Sequence, residues 1–277
     1  MSTSRARLVQ VYLTTKNRFD QAQGLVNAVF TGAWLGVMGR ETLALLDASF
    51  YSTHADPVAD RALKYADAAH IGSGLSDWEI SALTTYFPPE GRLVITGAGA
   101  GREILGALDL GFDPVGFEPH PGLREAGNAV LVAEGYPDVL RHCDRDRFPP
   151  DVASADGVVV GWTSYSHIPG SDRRIAFLRD ARQVLSAGSP VLLSFWMLPG
   201  KERYLRAVRV AARVGRWLTR GESVELGDVL SPLFVHCFTE EQIRDECAAA
   251  GLAVEAFHAV PYPHVIARSS SSIPVSA

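Results

Sequence analysis

Apolar and polar positions follow two different rhythms along the chain. Up to residue 87 the apolar side chains recur at helical spacing, as at Leu8, Val11 and Tyr12 and again at Leu43, Leu45 and Leu46, and no segment reads as a strand. Residues 1–87 are therefore expected to form an N-terminal helical cap. Its last helix has a start signal in Ser76 followed three residues on by Glu79, a reciprocal capping pattern, ahead of Trp78, Ile80 and Leu83. Pro88-Pro89 ends it. From Arg92 short apolar runs alternate with helical stretches, the alternation of a parallel sheet flanked by helices. The runs lie at 92–96, 114–118, about 138–143, 157–162 and 190–196. The helix after Ser171 carries Ile175, Leu178, Ala181, Val184 and Leu185 on one face, and Gly188 follows its end.

Beyond Trp196 the rhythm breaks. A basic helix is predicted over 201–220, then a helix over 239–250 closed by Gly251, then strands at 252–260 and 264–268. Only Pro261-Tyr262-Pro263 joins these last two, too few residues for a crossover helix, so the pair must be antiparallel. The expected fold is α/β, with a seven-stranded, mostly parallel sheet whose last strand is antiparallel. The expected organisation is a cap at 1–87, a core at 88–268 with a helical insertion at 199–237, and a disordered Ser-rich tail at 269–277.

Composition narrows the class. With 277 residues and 47% hydrophobic content the chain can bury a large core, and a net charge of −5 offers no general attraction for nucleic acid. Cys143, Cys237 and Cys247 lie far apart with no zinc spacing, which fits a reducing compartment. The polar N-terminus has no signal-peptide pattern, and the apolar run 25–39 is too short and interrupted to span a bilayer, so a soluble, cytoplasmic protein without a transmembrane segment is expected.

The chemistry is concentrated after the first apolar run. Leu93-Val94-Ile95-Thr96-Gly97-Ala98-Gly99-Ala100-Gly101-Arg102-Glu103 reads as buried strand, glycine turn and helix. Glycine there permits the tight turn and lets a ligand approach the backbone. Glu118 stands 21 residues after Gly97 at the end of the next strand, where a carboxylate can hold both ribose hydroxyls of an adenosine nucleoside. The dinucleotide pattern needs glycine three residues after its second glycine, a position that Arg102 fills.

G-x-G-x-G followed by Arg-Glu resembles the first motif of class I, Rossmann-like S-adenosylmethionine-dependent methyltransferases, over roughly residues 76–268. The resemblance implies S-adenosylmethionine as cofactor, with Gly97, Gly99 and Gly101 at its methionine part and Glu118 on its ribose. It places Pro119 against the adenine face, Asp144, with Asp146 as competitor, at the adenine amino group, and Gly161-Trp162 beside the sulfonium. Many relatives have an acid two positions before the first glycine. Here that residue is Ile95, which leaves backbone carbonyls or another acid such as Glu103 for the cofactor's ammonium.

Methyl transfer is an in-line displacement favoured by a dry, aligning pocket, and a hydroxyl or protonated amine acceptor needs a base. His167, in the loop Thr163-Ser164-Tyr165-Ser166-His167-Ile168 on the carboxyl edge of the sheet, is the candidate base, with Tyr165 orienting the acceptor; the competing reading of His167 is a helix cap. His236, where the chain re-enters the sheet, reads either as facing the same cavity or, preferably, as a packed histidine. Tyr65, Trp78 and Glu79 belong to the cap, which in relatives shapes the acceptor pocket. No acidic pair follows the fourth run, so no metal is expected. The Asn-Pro-Pro-aromatic signature of base-amine methylases is missing as well.

The insertion carries seven basic residues between Lys201 and Arg220 against one acid, Glu202, with Leu205, Val208, Ala212 and Trp217 available for packing. This helix reads either as a solvated face or as a site for an anionic acceptor, a carrier-bound acceptor or an anionic membrane. The expected function is methylation of an oxygen or nitrogen of a small molecule, in the setting of secondary metabolism. The alternatives are a non-methylating S-adenosylmethionine-binding protein, a cyclase, or an NAD-linked oxidoreductase. Acceptor identity and oligomeric state are not readable from sequence.

Overall fold

The computed structural model describes residues 22–52, 65–198, 200, 202–219 and 223–269. The expected helix around Leu8, Val11 and Tyr12, the ends of the basic helix at Lys201 and Arg220, and the tail beyond Ser269 lie outside the described residues.

Seven strands form the main sheet: β1 (Arg92–Thr96), β2 (Asp113–Phe117), β3 (Leu140–Arg141), β4 (Gly157–Val160), β5 (Pro190–Ser194), β9 (Leu252–His258) and β10 (His264–Ser269). Their order is β3-β2-β1-β4-β5-β10-β9. β1 through β5 pair in parallel, and β10 lies antiparallel to both β5 and β9. The chain builds outward from β1 to β3 and then returns to the other side of β1 with β4. This reversal opens a crevice at the carboxyl ends of β1 and β4.

Helices cover both sheet faces, so the central strands read as continuous apolar runs. β4 and β5 are buried along their whole length. Alternate residues point to opposite layers: Val94, Val158, Val160 and Leu193 pack with Phe177 and Leu178, whereas Leu93, Ile95, Val159 and Leu192 pack with Ile104 and Leu83. The third run is shorter than expected, two paired residues. Asn128 holds it, its side chain bonding both the N–H and the carbonyl of Leu140 at 3.0 and 3.1 Å.

The described residues before Arg92 form helices at 22–37, Arg40–Ser52, Ala68–Ile71 and Asp77–Tyr86. Glu79 accepts the Ser76 N–H at 2.7 Å, as the capping pattern predicts.

The segment 199–237 departs from the expectation of a purely helical insertion. After the helix Glu202–Thr219 it contributes β7 (Asp228–Leu230) and β8 (Phe234–Phe238), which join β6 (Trp196–Met197) in a second sheet of order β6-β8-β7. β8 is antiparallel to β7 over three residue pairs and parallel to the remote β6 over two, and strands this short carry no isolated strand signal. Trp217 also departs: Leu205, Val208 and Ala212 are buried as expected, but Trp217 is 84% exposed.

Arg174, in the helix Ser171–Gln183, ties the helix Glu240–Ala249 to the small sheet. Fully buried, it binds Glu246 at 2.7 Å and Glu225 at 2.7 Å and lies over the Phe238 ring. Removing either carboxylate would leave the buried guanidinium with a single charged partner.

Candidate active site

β1 leads into a turn in which Gly97, Gly99 and Gly101 all have positive φ, at 61°, 54° and 87°. A β-carbon on Gly99 would meet nothing within 4 Å, whereas one on Gly97 would lie 2.1 Å from Ser164 Oγ and one on Gly161 2.5 Å from the Gly97 carbonyl oxygen. The backbones following β1 and β4 are thus in near contact, and the open side of the turn is at Gly99.

Glu118, at the tip of β2, closes this corner. One carboxylate oxygen accepts the Gly99 N–H at 3.0 Å and the other the His120 N–H at 2.9 Å. Burial pushes its pKa up to about 7 against these two stabilising bonds. Arg124 bonds the carbonyls of Glu118 and Pro119 at 2.8 and 2.9 Å and so fixes the strand end.

A cavity of 1730 Å³ extends from this corner, lined on one side by Gly97, Gly99, Glu103, Glu118, Pro119 and Asp144. Ligand sites run to roughly 300–1,000 Å³, so there is room for two molecules side by side. On the other side it is lined by Asp47, Tyr65, Trp162, His167, Trp196 and Tyr204, drawn from the cap helices, the loop after β4, β6 and the insertion.

The two competing aspartates separate clearly. Both line the cavity, but Asp146 is committed to Arg145 at 3.4 Å and Arg40 at 3.9 Å with only 6% of its side chain exposed, whereas Asp144 keeps 77% exposed. Glu103 lines the cavity too, but one of its oxygens is held by Arg102 at 2.9 Å and accepts the Trp162 N–H at 3.3 Å, and burial raises its pKa.

Arg102, adjacent to the glycine turn, is the hub that sequence reasoning missed. It forms two bonds with Glu79, at 2.7 and 2.8 Å, one with the Gly74 carbonyl at 2.6 Å, and stacks 4.9 Å over the Trp162 ring. The capping residue of the helix Asp77–Tyr86 therefore also ties the cap to the glycine turn. Trp162 in turn donates its indole N–H to Tyr262, which stacks on Trp78 with ring centroids 5.5 Å apart. The only sequence sign of Tyr262 was its place in the short link at the carboxyl edge.

His167 and Tyr165, two residues apart, go to different places. The His167 ring lines the cavity, and its Nδ1 lies 2.8 Å from the Phe234 carbonyl. A carbonyl only accepts, so Nδ1 carries the proton and Nε2 the lone pair. Burial lowers the His167 pKa, which keeps the ring neutral. Tyr165 is instead fully buried, donating to Glu246 at 2.7 Å and stacked on Phe238. The expectation that it orients an acceptor is corrected: successive side chains of the 3₁₀ turn Ser164–His167 diverge, and Tyr165 takes the core side.

His236 is likewise a core residue. Val235 and Cys237 line the cavity, so strand alternation turns His236 to the other side, where its Nδ1 meets Asp228 at 2.6 Å. Glu225, Asp228 and His236 are the one group of three ligating side chains that comes together among the described residues, and Arg174 already binds Glu225 there. The thiols of Cys143 and Cys237 face the cavity in protonated form, pushed up to about 12 and about 11 by burial.

No family model and no curated protein matches the chain. Solved structures do. The CcbJ methyltransferase from Streptomyces caelestis superimposes with TM-score 0.57 and 14% identity over 80% of this chain and 99% of that one. A SAM-dependent methyltransferase from Methanosarcina mazei gives 0.54 and 14% over 71% and 99%. SAM-bound CalS10, an amino pentose methyltransferase from Micromonospora echinaspora, gives 0.50 and 17% over 73% and 95%. The chain has the fold of the S-adenosylmethionine-dependent methyltransferases.

Proposed function

We propose that this protein transfers the methyl group of S-adenosylmethionine to an oxygen or nitrogen of a small molecule. The observation that carries the reading is Glu118, anchored on the Gly99 N–H at one end of a cavity whose other side holds His167. The residues fit the cofactor. Gly99 leaves its open face for the amino-acid portion, Glu118 retains lone pairs for two sugar hydroxyls, and Asp144 has an exposed carboxylate for the adenine amino group. When bound, the cofactor supplies an electrophilic methyl group on a sulfonium.

The chain's own part is to align, dry and deprotonate. Trp162, Trp196 and Tyr204 supply aromatic walls on the acceptor side, which exclude water from a reaction in which charge disappears. His167 Nε2 is the atom that takes the acceptor's proton, the ring being held in that tautomer by the Phe234 carbonyl. Arg203 lines the same side and supports an anionic acceptor. We assign the reaction no metal: the carboxylate and histidine group at Glu225, Asp228 and His236 involves no residue that lines the cavity.

Calorimetry with S-adenosylmethionine, S-adenosylhomocysteine and NAD on the purified chain tests the first half. Heat with the first two and none with NAD is expected. An acceptor screen with a labelled methyl donor tests the second half, and label that never leaves the donor would refute transfer.

A further inference from the structure

The helix over residues 22–37 contains no charged residue, and its polar side chains, Gln23, Asn27 and Thr31, fall on one narrow stripe, which leaves most of its circumference apolar. Only one side of it is covered, through Ala28, Gly32, Leu35 and Gly36. The opposite side leaves Val26, Val29, Phe30, Trp34 and Val37 between 40% and 63% exposed. Its neighbour is the helix Glu202–Thr219. The two backbones touch: a β-carbon on Gly32 would lie 2.1 Å from the Val208 carbonyl oxygen, one on Gly36 2.3 Å from that of Ala212, and one on Gly215 3.1 Å from that of Ala33. Contact this close makes the pair one unit, and neither helix can turn to hide its outer side.

The second helix is also apolar on its outside. Val210, Val214 and Trp217, at i, i+4 and i+7, are 61%, 60% and 84% exposed and form one stripe. Arg206, Arg209, Arg213 and Arg216 form the next stripe on one flank. The only acid in this helix is Glu202 at its first position. The two helices carry no acid besides Glu202, so among the described residues the outer surface of the pair is apolar side chains bordered by the exposed Arg213 and Arg216.

We propose that this helix pair docks on the surface of an anionic lipid bilayer. Apolar stripes enter the boundary between headgroups and acyl chains while arginines reach phosphate and carboxylate headgroups. A second copy of the chain fits less well, because a two-fold contact through this surface brings Arg213 and Arg216 of both copies together, and the only acid that the two helices offer is Glu202 at the far end. Among the described residues no helix is long and apolar enough to cross a membrane, so the pair lies on the surface. Leu25 of the first helix and Arg203 and Tyr204 of the second also line the cavity, which sets the docked bilayer beside the acceptor side of the site.

The test is co-sedimentation of the full chain with two kinds of vesicle, pure phosphatidylcholine and phosphatidylcholine with about one-third phosphatidylserine. Binding to the anionic vesicles alone, lost at high salt, is expected. Trp217→Ser, the double change Phe30→Ser with Trp34→Ser, and the double change Arg213→Gln with Arg216→Gln should each weaken it by about tenfold without moving the thermal midpoint, because these side chains are outside the core. Equal binding to both vesicles overturns the role of charge. No binding to either overturns the proposal. In that case sedimentation velocity assigns the face: a dimer dissociated by the Phe30 and Trp34 changes gives it to a second copy, and a monomer throughout gives it to the chain's own residues outside the described set.

Discussion

Both carboxylate oxygens of Glu79 accept hydrogen bonds from Arg102, at 2.7 and 2.8 Å, although one belongs to a helix of the N-terminal segment and the other opens the helix after the glycine turn. Glu103 shares the same guanidinium, and all three side chains are nearly excluded from solvent. Glu79→Ala leaves Arg102 with one carboxylate and removes the cap on Ser76. Breaking a buried pair in this way should cost about 3 kcal/mol, measured by urea unfolding. It should also loosen Trp162, which Arg102 covers, and raise the Kd for S-adenosylhomocysteine.

Glu118 gives a pH dependence with two opposite signs. Its folded pKa, about 7, lies above the ordinary 4.5, so burial favours the protonated form. Its contribution to stability is therefore fully present below 4.5 and lost as pH rises through about 7. Ribose binding needs the carboxylate, so nucleoside affinity should rise over the same interval. Calorimetry and thermal melts across that range should show both trends, and Glu118→Gln should flatten both.

The glycines should divide by role. Gly99→Ala meets open space, so its penalty is the left-handed backbone, about 1–2 kcal/mol. The added methyl group occupies the side from which a ligand approaches, and nucleoside binding should be lost in a protein that remains folded by circular dichroism. Gly161→Ala drives a methyl group into the Gly97 carbonyl and should abolish the fold itself.

His167→Gln should lower kcat by a factor on the order of a hundred to ten thousand while leaving the Kd for S-adenosylhomocysteine unchanged. Because burial holds the imidazole pKa below 6.5, the wild-type rate should stay flat above that pH and fall only below it. Tyr165→Phe removes a buried hydrogen bond to Glu246 and should cost about 1–2 kcal/mol in stability with kcat unchanged. A Tyr165→Phe enzyme that folds normally but loses turnover would return Tyr165 to the catalytic group.

What was readable in advance was whatever depends on local order. The glycine turn and Glu118 are visible because strand, turn, helix and next strand follow one another within 26 residues from Arg92 to Phe117 and the carboxylate comes next. Ser76 and Glu79 announce a helix start because a capping box is complete within four residues. Glu79's second partner, Arg102, is 23 residues on, and nothing in the spacing marks it. The small sheet was invisible because its strands are only two to five residues long, and one of the two partners of Phe234–Phe238, Trp196–Met197, lies about forty residues earlier.

The chain order of apolar runs, the short final link and the glycine spacing determined the seven-stranded α/β fold and the corner where Gly99 and Glu118 meet, because each depends on neighbours along the backbone. Tertiary structure decided the rest. It sent His167 to the cavity and Tyr165 to the core, committed Asp146 to arginines while leaving Asp144 exposed, and left Trp217 outside where helical periodicity had allowed it to pack. These outcomes depend on which remote surface arrives to cover a side chain, and periodicity states only that some surface is needed.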